Sequence, residues 1–111
     1  MRVRCTKSKL GGISHYLTPR AEYEVLGIEC GDYRLLGDDG EPYLYPRRLF
    51  RVVDAARPKH WVRKVVDGTE YAYAAALAKP GFFEDYFDGV ASKRRIFHRY
   101  LNEHLRLTPA A

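Results

Sequence analysis

Residues 33–46 read Tyr-Arg-Leu-Leu-Gly-Asp-Asp-Gly-Glu-Pro-Tyr-Leu-Tyr-Pro, two apolar runs around a short polar one. An Asp-Gly step supplies the positive φ that tight turns need, so Gly37-Asp38-Asp39-Gly40 predicts a β-hairpin. Pro42 and Pro46 bracket the return run, and prolines confine a strand to the edge of a sheet. Upstream, Arg2-Val3-Arg4-Cys5 alternates polar and apolar residues with the period of a half-buried strand. Residues 7–15, with Ser8, Gly11, Gly12 and Ser14, have the composition of a loop. Glu22-Tyr23-Glu24-Val25 alternates again; the phase then moves to Leu26, Ile28 and Cys30, with Gly27 at the break. A glycine at a phase slip predicts a β-bulge and a bent strand. Downstream, residues 47–50 predict one helical turn and Val52-Val53-Asp54 a last short strand. Short strands, a long first loop and a glycine-marked bend together predict a small SH3-like β-barrel over residues 1–55.

The remainder, residues 56–111, reads differently. Residues 61–66 and 70–73 flank Asp67-Gly68 and predict a second hairpin, although residues 72–78 also suit a helix by propensity. Lys79-Pro80-Gly81 interrupts that run. Residues 82–87 form an aromatic helical turn closed by Asp88-Gly89. From residue 90 to 107 the period is helical, with Val90, Phe97, Tyr100, Leu101 and Leu105 on one stripe and Ile96 on its flank. Pro109 ends the run. The expected fold class is therefore α+β: a small SH3-like barrel, then a β-hairpin and a C-terminal α-helix packed on it, all in one domain over residues 1–111.

Composition narrows the function classes. The chain has 111 residues, 46% hydrophobic and 30% charged, which excludes a disordered or low-complexity chain. At 12.8 kDa it should bury about two-thirds of its unfolded surface, enough for a core without disulfides. No uncharged stretch approaches the length of a membrane span, and the N-terminus lacks the apolar run of a signal peptide. A cytoplasmic location is the expectation, with no membrane partner. The net charge of +5 divides unevenly: residues 1–55 carry 9 basic and 8 acidic groups, residues 56–111 carry 10 and 6. The excess gathers at Lys93, Arg94, Arg95, Arg99 and Arg106, which is either a solvated helix face or an electrostatic footprint for nucleic acid.

No catalytic motif emerges. His98 and His104 are six residues apart and fall on different faces of a helix, and Cys5 and Cys30 have no second pair, so no metal is expected. Both cysteines fall on predicted strands beside apolar neighbours and are expected to be buried thiols. Ser8, Ser14 and Ser92 lack a base and an orienting group. The acidic pair Asp38-Asp39 suits a turn and Glu84-Asp85 a helix start. Gly11-Gly12 lacks the lysine of a phosphate loop. No enzyme activity, cofactor or small-molecule substrate is expected.

Aromatic residues are 14% of the chain. Tyr33, Tyr43 and Tyr45 cluster around the acidic turn, and Tyr brings rigid contact area at low entropic cost. Asp38, Asp39 and Glu41 would repel a phosphate backbone and attract a basic protein surface.

The run Leu17-Thr18-x4-Tyr23-x-Val25-Leu26, the quoted stretch 33–46, and Leu49-Phe50-x-Val52-Val53-Asp54 resemble a group of small uncharacterised bacterial SH3-like barrel proteins. Trp61, Phe83-x3-Phe87-Asp88-Gly89 and Ile96-Phe97-x2-Tyr100 extend that resemblance over roughly residues 17–101. Some proteins of this kind look like immunity partners, inhibitors encoded beside contact-dependent growth inhibition toxins or secreted toxins. The resemblance implies a non-enzymatic immunity protein that binds and blocks a cognate toxin. Asp38, Asp39 and Glu41 would then pair with basic toxin residues, and Tyr43 and Tyr45 would be anchors. The charge of +5 argues against a basic nuclease as partner and favours an acidic toxin on the Lys93–Arg99 face. The alternative is a nucleic-acid-binding SH3-like module that uses Lys93, Arg94, Arg95 and Arg99. A peptide-recognising phage or regulatory adaptor is a third reading.

Overall fold

A computed structural model describes residues 1–6 and 16–105. The loop expected at 7–15, Arg106 and Pro109 lie outside the described residues. Among the described residues, seven strands form one antiparallel sheet: β1 (Arg2–Cys5), β2 (Glu22–Glu29), β3 (Asp32–Leu36), β4 (Pro42–Tyr45), β5 (Phe50–Asp54), β6 (Trp61–Val66) and β7 (Thr69–Ala74). A 3-10 turn, Arg47–Leu49, leads into β5. Two helices follow, α1 (Phe82–Phe87) and α2 (Ala91–Tyr100), the second running on into a wider π-helical turn at Leu101–Leu105.

Pairing runs β4-β3-β2-β1-β5, and β7 joins both β2 and β6. Among the described residues no ladder links β4 to β5, so the sheet is open. The chain turns on β2. Its first residues, Glu22 to Glu24, pair with β1; the stretch from Val25 to Glu29 pairs with β3, and Gly27 to Glu29 also with β7. The register slips between Val25 and Gly27, where the phase break predicted a bulge. That extra residue leaves Val25 and Ile28 facing one core although they are three apart, and sends Leu26 to the other.

The two cores lie on opposite faces of the sheet. Val3, Cys5, Val25, Ile28, Leu35 and Tyr45 lie in the first. In the second, Leu26 and Tyr73 from the sheet meet Phe82, Phe83, Tyr86, Phe97, Tyr100 and Leu101 from the helical segment. The helical stripe therefore packs on β2 and β7, as an apolar face must when it has a sheet to cover. Gly27 makes this packing possible. A Cβ there would lie 2.1 Å from ring carbons of Tyr73, whose ring crosses the strand at that point.

Three expectations are corrected. Cys30 follows β2 in a turn, with φ 55°, and is exposed; only Cys5 is buried. Val90 does not belong to the buried stripe, because it precedes the first turn of α2 and stays exposed. Regular α-helix stops at Tyr100 rather than continuing toward residue 107.

Candidate functional site

The expected acidic and aromatic residues do come together at the β3–β4 hairpin, but their roles divide. Asp38 is exposed, yet its carboxylate is occupied: Oδ2 accepts from Thr18 Oγ1 at 2.6 Å and Oδ1 from the Tyr23 hydroxyl at 2.8 Å. Tyr23 in turn accepts from the Thr18 backbone N–H at 2.8 Å. Burial, chiefly, pushes the Tyr23 hydroxyl up, so it remains a donor to Asp38. Asp39 closes its own turn by accepting from the Glu41 N–H at 3.1 Å, the local bond for which Asp is favoured there. Glu41 lies beside the Tyr86 hydroxyl, which burial first and that carboxylate second push up to about 12. Asp38 and Asp39 thus bind the fold to itself, whereas Glu41 Oε2 is buried without a hydrogen-bond partner among the described residues.

The two tyrosines also separate. Tyr45 is fully buried and cannot touch a partner, which corrects its assignment as an anchor. Its hydroxyl is buried without a hydrogen-bond partner among the described residues. Tyr43 is half-buried and stacked between two rings: Phe87 at 5.2 Å with planes 11° apart, and Tyr16 at 5.8 Å with planes 12° apart. Phe87 and, beyond Asp88 and Gly89, Val90 are each 39% exposed. Of the expected residues, this ordered stack contains Tyr43, with exposed Asp38 nearby; Tyr16, Phe87 and Asp88 are additions from the structure. Spacing alone does not single out Phe87, because it lies four residues after the buried Phe83 and so on the same helical face.

On the basic side, Lys93 lies 5.7 Å from the Phe82 ring centre and Arg94 4.5 Å from that of Tyr86. Both cover aromatic surface with their stems and charges, a packing role. Arg95 and Arg99 are exposed, one helical turn apart. Arg99 borders a small cleft of about 270 Å³ with Lys79, Tyr100 and His104.

Sequence reasoning missed a third region. Arg34 lies inside β3 and is only 7% exposed. Its Nε donates to the Tyr73 hydroxyl at 2.9 Å, Nη1 to the Pro42 carbonyl at 2.8 Å and Nη2 to Glu29 Oε2 at 3.0 Å. Tyr73 donates to the same Glu29 oxygen at 2.8 Å, and the guanidinium lies 4.0 Å over the Phe83 ring. Burial, above all, raises the Tyr73 hydroxyl and keeps it protonated. This network lines the deep side of a cleft of about 570 Å³, with Val62, Lys64 and Val66 of β6 on one flank and Lys79 and Phe82 on the other.

Among the described residues, no group of three or more His, Cys, Asp or Glu could hold a metal ion, and no helix is long and apolar enough to cross a membrane. Compared with known proteins, the chain matches no family model, no curated protein and no solved structure.

Proposed function

We propose that the chain is a non-enzymatic protein-binding domain of the bacterial immunity kind, which blocks a cognate toxin by covering its active site. The observation that supports it is the Tyr16–Tyr43–Phe87 stack: aromatic side chains held in fixed geometry, partly exposed, with exposed Asp38 and Asp88 beside them. Rigid rings of this kind lose little freedom on association, and anchors of binding surfaces are enriched in them. In this reading β1 to β5 make an SH3-like unit. The bent β2 shared between β1 and β3, and the 3-10 turn before β5, support that assignment.

The test is affinity capture of the tagged protein from its native host, with and without nuclease. The expected result is one stoichiometric protein that is toxic when expressed alone and harmless when co-expressed with this chain. Recovery of nucleic acid that nuclease or salt removes would instead assign function to Arg95 and Arg99, because phosphate contacts weaken steeply with salt.

A further inference from the structure

β6, like β5, is poorly covered: every residue after its first is exposed. Each residue from Val62 to Val66 is exposed, with Val62 at 46%, Val65 at 50% and Val66 at 41%. β7 is held on both sides, by β2 and β6, whereas among the described residues β6 pairs with β7 alone and its other edge has no strand partner.

The turn sets which backbone groups that edge presents. Asp67 and Gly68 have φ values of 51° and 77°, so a two-residue turn joins the closing pair Val66–Thr69. In such a hairpin the closing pair exchanges backbone hydrogen bonds, and along an antiparallel ladder bonded and non-bonded pairs alternate. Val62 and Lys64 therefore point their N–H and C=O groups toward β7, and Arg63 and Val65 point theirs away from it. Side chains alternate as well: Val62, Lys64 and Val66 share a face with Tyr73, Tyr71 and Thr69, and Arg63 and Val65 share the opposite one with Ala72 and Glu70, although Arg63 also borders the cleft.

The strand itself is basic, although Glu70 lies across the ladder and Glu29 and Glu84 border the adjoining cleft. β6 carries Arg63 and Lys64 and no acid. Arg63 contacts Glu70 but remains 64% exposed, and Lys64 and Lys79 have no ion pair among the described residues. A second copy of β6 added antiparallel about Lys64 would set lysine against lysine, an unfavourable cross-strand pair. An acidic strand would meet complementary charge.

We infer that the open edge of β6 is a docking site for an extended acidic–apolar segment of another protein, taken up as an added antiparallel strand. Main-chain bonds to Arg63 and Val65 would supply the grip, and side chains beside Val62, Lys64 and Val66 the selectivity. Opposite Val66-Val65-Lys64-Arg63-Val62, the complementary order is apolar, apolar, acidic, acidic, apolar. Different elements build this surface and the Tyr43 stack, and its test does not depend on the toxin proposal.

The probe is the capped peptide acetyl-Thr-Val-Val-Glu-Glu-Val-Thr-amide, titrated into isotope-labelled protein and followed by amide NMR. A control peptide carries two lysines in place of the two glutamates. The expected result is saturable shifts centred on the Arg63 and Val65 amides, with the control at least about tenfold weaker, since like charges in register oppose binding. Lys64→Glu should reverse that preference. Val65→Pro should abolish binding and keep the fold, because the outward N–H it removes has no role in the β6–β7 ladder. The inference is overturned if the β6 amides do not shift, if both peptides bind alike with and without Lys64→Glu, or if the edge amides respond to protein concentration alone. The last outcome would assign the edge to a second copy.

Discussion

Tyr43 and Tyr45 are two residues apart on one strand and have opposite fates. Tyr45 fills the first core and leaves its hydroxyl without a partner among the described residues. Tyr45→Phe should therefore keep or raise the melting temperature, since it removes a buried polar group that makes no bond. Tyr45→Ala should cost about 3–5 kcal/mol through the cavity it leaves. Thermal unfolding of the two variants separates packing from bonding. Gly27→Ala places a methyl group against the Tyr73 ring and should destabilise by about 1–3 kcal/mol, as overpacked cores do. Arg34→Ala removes the guanidinium bonds to Glu29, the Tyr73 hydroxyl and the Pro42 carbonyl, leaving Tyr73 and Glu29 only each other, and should cost about 1–3 kcal/mol by denaturant unfolding. At this scale the sequence is legible only in part. The Leu26–Gly27 phase slip can be read because it is a local break in a period. Arg34 cannot, because the ring that accepts its bond lies 39 positions away and the helices that bury its face follow later still.

Strands and turns were the legible elements. Asp-Gly turns, bracketing prolines and alternating residues act within a few positions, so the seven strands stand close to where the pattern places them. The end of α2 was less legible, since residues 101–105 keep helical spacing while the backbone widens. His60 and His104 meet there. Their rings stack at 4.5 Å, and His60 Nε2 lies 2.9 Å from the Tyr100 hydroxyl, joining the base of the β6 hairpin to the last described turn. Loss of hydration, then the charge of His104, hold His60 below its ordinary value of 6.5. A base whose folded value is depressed favours the fold fully above its unfolded value, and that stability is lost as pH falls through the folded one. The melting temperature should thus fall between pH 7.5 and pH 5.5, and His60→Gln should lose less over the same interval. An equal loss in both proteins would show that the histidine contact carries no such linkage.

Over the whole molecule, the two faces of one bent sheet bury separate cores, and three of the charged residues singled out from sequence help hold the elements together. Asp38 fastens the chain before β2 to the hairpin, and Lys93 and Arg94 lie on the rings of α1 and its neighbours. Composition could count these charges but could not show where they turn, because that depends on which rings and hydroxyls the fold brings beside them. The Tyr43–Phe87 stack is proposed as the surface that binds a protein partner. Its most direct test is the affinity of the captured partner for Tyr43→Ala and Phe87→Ala, measured by titration calorimetry on proteins whose unfolding curves stay cooperative. A loss of at least about thirtyfold is expected for each, the scale of an anchor residue worth about 2 kcal/mol. Wild-type affinity in both folded variants would contradict it.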